Sequence, residues 1–346
     1  MTDQTLAATL FGPEDLRMIE SDMAPVAPDM VRIAFGAGGI CGSDMHYFHH
    51  GRVGDFVVKS PLVLGHEIAG TVAAVGENVK GVLVGTRVAV NPSRWCGHCR
   101  HCQNNRPNLC ENIYFMGSAS KTPHMAGGFA THFDATPAQC VPIPDHVPFK
   151  AAALCEPLAV CLHAVARAGD VKGKRALVIG AGPIGMLTML AAKAQGMSEV
   201  AVADIAAAPL EFAGKIGASA TYNVGADPEA LASVEPFDVV FEASGAPAGM
   251  NTAIKAARRG GAVVLIGSLP GGQIPAMANA VMAKELDLLG SFRFSEEFYT
   301  AVEMISSGKI DVTCLISAER PLNQAPDAVR LALDRTKSMK VVLTAV

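Results

Sequence analysis

Repeated units of one strand and one helix run through the middle of the chain and constrain its fold more than any other feature. Apolar strand-like runs alternate there with glycine turns and helical segments: RALVIG precedes PIGMLTMLAAKAQG, EVAVAD precedes PLEFAGKIG, and FDVVFEASG precedes PAGMNTAIKAARRG. The runs AVVLIG, TYNV and LDLLGSF complete the set of predicted strands. Such repeats fold into a parallel sheet that helices cover on both faces. The sequence therefore predicts an α/β, doubly wound domain over residues 154–291.

A different pattern precedes and follows that region. Up to residue 153, short runs rich in Val, Ile and Thr, such as MVRIAF and GTRVAVNP, alternate with Gly and Pro. This pattern is typical of irregular, mostly antiparallel β structure. Further along, RFSEEFYTAVEMISSG predicts a helix and KVVLTAV a closing strand. We expect residues 292–346 to fold back onto residues 1–153, so that the α/β domain is an insertion.

Length and charge limit the kinds of partner. A chain of 346 residues exceeds what one hydrophobic core normally supports, which favours two domains. The formal net charge is −4, and no block of like charges marks a surface for nucleic acid or an anionic membrane. No apolar run approaches the roughly 18–20 residues that span a bilayer, and the opening segment lacks signal-peptide features. We expect a cytoplasmic protein that acts on a small molecule.

Glycines at the first strand-to-helix turn predict a dinucleotide site. Gly180, Gly182 and Gly185 form GxGxxG between a strand and a helix, where backbone N–H groups can approach a pyrophosphate. Asp204 ends the second strand, as expected for a carboxylate that binds ribose hydroxyls, and the stretch IAAAPLEFA after it contains no Lys or Arg to accept a 2′-phosphate. A Rossmann domain that binds NAD rather than NADP is predicted. The expected contacts are Gly180, Gly182, Pro183, Ile184, Gly185, Asp204 and Gly267.

Four of the nine cysteines lie close together in the first region. Cys96, Cys99, Cys102 and Cys110 can converge tetrahedrally on zinc and leave no open position for chemistry. The segment 94–112 therefore predicts a structural zinc lobe. An iron–sulfur cluster remains an alternative on spacing alone, and an isolated zinc ribbon of this kind can bind other macromolecules.

Two further segments carry a resemblance to a known family. GHEIAGTVAAVGENV (65–79) matches the signature of zinc alcohol dehydrogenases, and GGICGSDMHY (38–47) precedes it. With the cysteine lobe and the nucleotide motif, the chain resembles the medium-chain zinc dehydrogenases over nearly its whole length. The resemblance implies a GroES-like, mostly β catalytic domain with the Rossmann domain inserted, and a homotetramer.

The resemblance also implies a catalytic zinc and a proton relay. The zinc ligands would be Cys41, His66 and Glu156, with Glu67 as a further ligand or as a neighbour that supports them. Cys155, next to Glu156, is an alternative ligand. Zinc would lower the pKa of the substrate alcohol, and a hydride would pass to the nicotinamide. Ser43 and His46 stand where the family has its relay residues. Two zinc ions per chain are therefore expected.

Within this family the chain looks like the branch of sorbitol and L-idonate dehydrogenases. HYFHHGRVGDFVVKSPLVLGHE (46–67) and CEPLAVCLHA (155–164) carry that resemblance. NPSRWCGHCRHC (91–102), MGSASKTPHMAGGF (116–129) and GSFRFSEEF (290–298) resemble the L-idonate side of the branch more than the sorbitol side. It implies oxidation of a secondary alcohol in a sugar acid, L-idonate, with Tyr47, Glu156 and Arg293 contacting the substrate. Arg293 can instead pair with Glu296 or Glu297. Polyols such as sorbitol and xylitol, L-threonine, and a zinc-ribbon binding protein without activity remain alternatives.

Overall fold

The computed structural model describes residues 4–346, which divide into two compact units. The first contains the described residues up to Glu156 together with Phe298–Val346, and the second contains Pro157–Glu297. Residues 1–3, which the sequence analysis assigned to the first domain and to the opening segment, lie outside the described residues.

The described residues contain the following strands and helices. The strands are β1 (Gln4–Gly12), β2 (Asp15–Asp22), β3 (Val31–Gly39), β4 (Arg52–Val53), β5 (Phe56–Val57), β6 (Leu62–Val63), β7 (Glu67–Val75), β8 (Arg87–Val90), β9 (Ser93–Arg94), β10 (Tyr114–Phe115), β11 (His132–Ala135), β12 (Cys140–Pro142), β13 (Arg175–Ile179), β14 (Glu199–Asp204), β15 (Thr221–Asn223), β16 (Phe237–Glu242), β17 (Ala257–Leu265), β18 (Asp287–Gly290), β19 (Ile316–Pro321) and β20 (Lys340–Thr344). The helices are α1 (Gly42–His50), α2 (Arg100–Gln103), α3 (Phe149–Ala153), α4 (Cys155–Arg167), α5 (Pro183–Ala194), α6 (Ala207–Lys215), α7 (Pro247–Ala256), α8 (Ala278–Ala283), α9 (Glu297–Ser306) and α10 (Ala325–Leu333).

The main sheet of the first unit is built around β3. Its strand order is β12-β8-β7-β3-β20-β19, and β11 also pairs with β3. Every pairing except β19 with β20 is antiparallel. Alternate residues of β3, including Val31 and Ile33, enter the apolar core. Because β20 pairs directly with β3, the C-terminal tail completes a sheet that the N-terminal region begins.

The second unit contains a parallel sheet in the order β15-β14-β13-β16-β17-β18. Strands β13, β14 and β16 are buried almost throughout, as expected where helices cover both faces of a parallel sheet. The carboxyl ends of these strands therefore lie along one edge, where dinucleotides bind in such folds. The predicted fold class, a mostly β domain joined to a doubly wound α/β domain, is confirmed.

Two predicted helices were too long. PAGMNTAIKAARRG was assigned to one helix, but α7 ends at Ala256 and β17 begins at Ala257. The ammonium group of Lys284 stops the helix, since it donates hydrogen bonds to the carbonyl oxygens of Ile254 (3.2 Å), Lys255 (2.7 Å) and Ala257 (2.8 Å). Helix α9 begins at Glu297 rather than Arg293, whose φ of 54° is left-handed.

Candidate catalytic and structural metal sites

A buried cluster of potential metal ligands lies at one end of the β3–β7 pair. Cys41 immediately precedes α1, His66 immediately precedes β7, and Glu67 begins β7. Gly39, at the end of β3, stands opposite Glu67 in the antiparallel register, so the two chain segments meet there. One ligand atom each from Cys41, His66 and Glu67 lies within 4.8 Å of the others. A Cβ atom at residue 39 would collide with the Glu67 carboxylate, so the approach requires glycine.

Asp44 supports this cluster from within α1. Its carboxylate is fully buried and accepts hydrogen bonds from the backbone N–H groups of Cys41 (3.0 Å) and Gly65 (3.3 Å). His66 Nδ1 lies 3.7 Å from Asp44 Oδ1, which leaves Nε2 as the ring nitrogen that can face a metal. Burial raises the pKa of Asp44, and the proximity of His66 partly opposes that rise. The sequence analysis did not identify Asp44, although it lies in the quoted segment GGICGSDMHY.

Lys340, the first residue of β20, places an ammonium group beside Glu67. Its Nζ atom donates to Glu67 Oε1 (2.7 Å) and to the carbonyl oxygen of Ile40 (2.8 Å), and lies 2.6 Å from Glu67 Oε2. Burial lowers the pKa of Lys340, but the negative charges of Glu67 and Cys41 outweigh it and keep the pKa above its usual value. Lys340 therefore stays charged. The only sequence signal was a lysine at the start of the apolar run KVVLTAV.

Glu156, in the first turn of α4, lies close enough to the cluster for its charge to interact with the cluster residues. It is 4% exposed, and its charge interacts with His66, Glu67 and Cys41, although it is not among the ligand atoms that all lie within 4.8 Å. Burial, opposed by His66 and reinforced by Glu67, raises the pKa of Glu156 to about 8. Burial also raises the pKa of the neighbouring Cys155 thiol, whose interactions do not include this cluster.

The charge balance of the cluster suits a divalent cation. Burial, with the charge of Glu67 next in importance, raises the pKa of the Cys41 thiol to about 12. Cys41, Asp44, Glu67 and Glu156 can all be anionic, whereas Lys340 contributes one ammonium group beside them. A bound dication would supply the missing positive charge and favour the thiolate and carboxylate forms. Sulfur, nitrogen and oxygen donors together are the set that zinc accepts.

Helix α1 carries the predicted relay and one predicted substrate contact. The Ser43 side chain forms a hydrogen bond with Cys41 that lowers the thiol pKa. His46 lies on the exposed side of the helix. Burial, followed by the charges of His50, Arg335 and His49, lowers its pKa. Tyr47 is buried, and its hydroxyl oxygen accepts a hydrogen bond from the backbone N–H of Ala119 (3.1 Å). The hydroxyl hydrogen of Tyr47 is still available to a further acceptor.

The four cysteines of the lobe form a second cluster, centred on α2. Their sulfur atoms all lie within 4.8 Å of one another, with Cys96–Cys110 at 3.5 Å, Cys99–Cys102 at 3.6 Å and Cys96–Cys102 at 4.0 Å. A zinc–sulfur bond of about 2.3 Å gives a tetrahedron with edges of about 3.8 Å, which these separations match. An iron–sulfur cluster needs room for several metal ions and sulfides, and this cage has room for one ion.

Backbone N–H groups point at the sulfur atoms of the lobe. Cys96 Sγ accepts from the N–H of Cys99 (3.4 Å), and Cys110 Sγ accepts from Cys96 (3.4 Å) and Asn112 (3.3 Å). Such bonds stabilise thiolates without a charged partner. The backbone N–H of Cys102, with that of Glu111, lowers the pKa of Cys99 to about 6.

The predicted dinucleotide contacts lie at the carboxyl edge of the parallel sheet. Gly180 follows β13 with φ of 97°, and a Cβ there would lie 2.7 Å from the backbone nitrogen of Ser244. Gly182 is the N-cap of α5, so Pro183 and Ile184 begin the helix. A Cβ at Gly185 would collide with the carbonyl oxygen of Gly180. Because these glycines have no Cβ atom, the loop after β13 can pass close to the first turn of α5, as a pyrophosphate site requires.

Asp204, at the end of β14, and Gly267, two residues after β17, lie at the carboxyl edge of the same sheet. The Asp204 carboxylate accepts hydrogen bonds from the backbone N–H groups of Ala181 (2.6 Å) and Ala206 (2.9 Å). The N–H of Gly267 donates to the carbonyl oxygen of Glu242 (2.9 Å). Glu242, which the sequence analysis missed in FDVVFEASG, is fully buried and accepts from the N–H of Ser244 (2.8 Å). It holds the turn after β16.

Arg293 lies in the second unit, between β18 and α9. Its guanidinium carbon is 4.9 Å from the ring centroid of Phe292. Glu297, one of the two acids considered as its ion-pair partner, interacts with His163 (Nδ1 to Oε1, 2.9 Å) and accepts from the N–H of Ser295 (2.7 Å). These contacts anchor the segment that carries Arg293.

Two family profiles match the chain. The alcohol dehydrogenase GroES-like domain matches residues 27–145, and the zinc-binding dehydrogenase domain matches residues 183–307. Among residues 4–346, no helix has the length and apolar character needed to cross a membrane. The profiles define the class as a zinc-binding dehydrogenase with a GroES-like domain.

Relatives narrow the class further. L-Idonate 5-dehydrogenase (NAD(P)(+)) of Escherichia coli is 40% identical over 308 residues, 88% of this chain and 89% of that protein. Sorbitol dehydrogenase of Bacillus subtilis is 34% identical over 97% of this chain and 96% of that protein. The crystal structure of the Escherichia coli L-idonate 5-dehydrogenase has a TM-score of 0.94 at 37% identity, covering 99% of this chain and 98% of that one. The chain belongs to the zinc-dependent medium-chain alcohol dehydrogenases, as its signature predicted.

Proposed function

We propose that this enzyme oxidises a secondary alcohol of a sugar acid, L-idonate to 5-ketogluconate, with zinc and NAD. The cluster of Cys41, His66 and Glu67 carries the proposal, because it supplies two zinc ligands and an acidic neighbour in a chain 40% identical to an L-idonate 5-dehydrogenase. A polyol is the second candidate substrate, since a sorbitol dehydrogenase is 34% identical over 97% of the chain.

Cys41, His66 and Glu156 are the proposed ligands of the catalytic zinc. Zinc bound there would act as a Lewis acid that lowers the pKa of the substrate hydroxyl. Asp44 orients the His66 ring through the 3.7 Å contact with Nδ1. Lys340 neutralises Glu67 and holds its carboxylate beside the ligands. Glu67 is therefore proposed as a supporting neighbour of the metal rather than a permanent ligand.

Ser43 and His46 are the proposed proton relay. Ser43 is hydrogen-bonded to Cys41 and so lies next to the proposed reaction centre. The exposed side chain of His46 can release a proton to solvent. Since the pKa of His46 is lowered, its ring is neutral near pH 7 and can accept that proton.

The second unit is proposed to bind NAD, which serves as the hydride acceptor. Residues at the turns, Gly180, Gly182, Pro183, Ile184, Gly185 and Gly267, would lie against its phosphates and nicotinamide half. Asp204 would accept hydrogen bonds from the ribose hydroxyls and repel the 2′-phosphate of NADP. Its two present partners, the N–H groups of Ala181 and Ala206, already hold the carboxylate at the turn.

Arg293, Tyr47 and Glu156 are the proposed substrate contacts. A guanidinium group binds a carboxylate through paired hydrogen bonds, which suits Arg293 to the acid end of L-idonate. The Tyr47 hydroxyl, held by Ala119, can donate to a substrate hydroxyl. Glu156 would contact the substrate from the metal site.

The remaining proposals concern assembly. Cys96, Cys99, Cys102 and Cys110 would hold a structural zinc, giving two zinc ions per chain. Residues 1–153 and 292–346 would form the catalytic domain and residues 154–291 the NAD domain. We further propose a homotetramer in the cytoplasm, where the nine free thiols remain reduced.

A substrate panel tests the proposed reaction. NADH formation is followed with L-idonate, sorbitol, xylitol and L-threonine at matched concentrations, and with NAD and NADP in turn. Preference for L-idonate with NAD supports the proposal, whereas preference for sorbitol or xylitol favours the polyol candidate. An inactive zinc-ribbon protein would show no turnover and one zinc per chain.

A further inference from the structure

Helix α1 presents three histidines near its C-terminal end. His46, His49 and His50 are all exposed. Residues four apart lie one above the other on a helix face, so His46 and His50 are neighbours there. Two histidines at this spacing are the arrangement by which a helix binds a transition metal.

The ring geometry selects His46 and His50 as the pair. Their ring centroids are 5.6 Å apart with 27° between the ring planes, so the two imidazoles extend side by side. His49 is tilted by 60° relative to His50. Its Nδ1 atom lies 2.7 Å from the Glu14 carboxylate, which directs His49 toward a different partner.

The helix remains regular through both residues. The N–H of Gly51, the C-cap, donates to the carbonyl oxygen of Tyr47 (2.9 Å), so His50 still belongs to the last helical turn. The lowered pKa of His46 keeps that imidazole neutral near pH 7, as a metal ligand must be. The titratable and charged groups that face it are His49, His50 and Arg335, and Glu14 lies against His49.

We propose that His46 and His50 chelate a divalent transition-metal ion of the class that prefers imidazole, such as Ni²⁺, Cu²⁺ or Zn²⁺, and that this ion inhibits the enzyme. Water completes the coordination, because the two rings supply only two ligands. Inhibition follows from loss of the His46 lone pair that accepts the substrate proton. That second part rests on the proposed function, whereas the metal site does not.

Nickel binding tests the chelate directly. The zinc-loaded protein is titrated with NiCl₂ by calorimetry, and its zinc content is measured afterwards to exclude exchange. His50→Asn should weaken nickel binding by at least about tenfold, because the second tethered ligand supplies most of the affinity. The matched control His49→Asn should bind nickel as the unaltered protein does. Equal affinity in the unaltered protein and in His50→Asn overturns the site, and an equal loss in His49→Asn overturns the choice of pair.

Turnover tests the inhibition separately. Without nickel, His50→Asn should reduce NAD at the normal rate, since His50 has no part in the relay. At saturating nickel the unaltered protein should slow by at least about tenfold, within the range that general acid–base catalysis contributes, while His50→Asn keeps its rate. Nickel binding that depends on His50 but leaves turnover unchanged would retain the metal site and contradict the relay role of His46.

Discussion

The four-cysteine lobe and the Cys41 cluster both bring metal-ligating atoms within 4.8 Å of one another, but by different means. The lobe takes every donor from the single stretch Cys96–Cys110. The Cys41 cluster takes its donors from the segments that follow β3 and begin β7, joined by Glu156 at the start of α4 and Lys340 at the start of β20. A cluster of four thiols can thus be encoded locally, whereas the Cys41 cluster depends on long-range strand pairing.

The two sites also stabilise negative charge differently. In the lobe, backbone N–H groups of Cys96, Cys99 and Asn112 point at thiolates. In the cluster, a buried ammonium group, Lys340, opposes a buried carboxylate, Glu67. The backbone N–H groups are in place whenever the lobe adopts its conformation. In a buried ion pair, by contrast, loss of either partner leaves an uncompensated buried charge. Substitutions in the lobe should therefore affect stability first, and substitutions in the cluster should affect both stability and turnover.

Cys41→Ser should give the largest effect. Turnover should fall by at least about a thousandfold, because a Lewis acid contributes several kcal/mol to such a reaction. NADH affinity, measured by fluorescence titration, should stay nearly normal because the nucleotide turns belong to the other unit. Unchanged turnover would remove Cys41 from the reaction centre.

Lys340→Met should give the next largest effect, because it removes the ammonium group that compensates the buried Glu67 carboxylate. The orphaned Glu67 carboxylate should lower the free energy of unfolding by roughly 3–5 kcal/mol, as measured by urea unfolding. Lys340→Arg keeps the charge and should lose less. Adding Glu67→Gln to Lys340→Met should recover part of the loss, and strict additivity of the two substitutions would show that the pair is not coupled.

Cys110→Ser should affect the lobe alone. Opening the closed site should release one zinc per chain and cost about 2 kcal/mol, a drop of roughly 4–8 °C in the unfolding temperature. Cys314→Ser is the matched control, because Cys314 is an exposed thiol outside both clusters. A Cys110→Ser protein that retained two zinc ions would contradict the structural assignment.

A chelator should give the smallest effect, a difference in the rates at which the two sites lose zinc. A site with three protein ligands exchanges metal more readily than one closed by four thiolates. With dipicolinate, activity should therefore disappear before the unfolding temperature falls. The reverse order would mean that the greater exposure of the lobe, and not its ligand count, governs metal release.

Much of the fold could be predicted because its signals are local. Strand runs such as RALVIG and EVAVAD, the glycine turn after β13 and the cysteine spacing each occupy a few consecutive residues. The predicted end of α7 was wrong because a side chain distant in sequence determines it: Lys284 terminates the helix at Ala256. Nothing within PAGMNTAIKAARRG indicates that lysine.

In the candidate catalytic site, too, some residues could be predicted from the sequence, whereas others are recognised only from their tertiary contacts. Resemblance to a family indicated Cys41, His66 and Glu156, but it did not indicate that Asp44 faces His66 or that Lys340 faces Glu67. A lysine at the start of an apolar strand normally lies at a surface. Lys340 is buried here because β20 pairs with β3 on one side and with β19 on the other, and its ammonium group donates to the carbonyl oxygen of Ile40.

By itself, the sequence determined the class of fold, the glycine turn after β13 and the composition of the cysteine lobe, because each depends on residues close together in the chain. The tertiary structure decided which charges meet in the buried cluster. Such charges interact strongly only after strands distant in sequence have paired and excluded water, and no local pattern records that event.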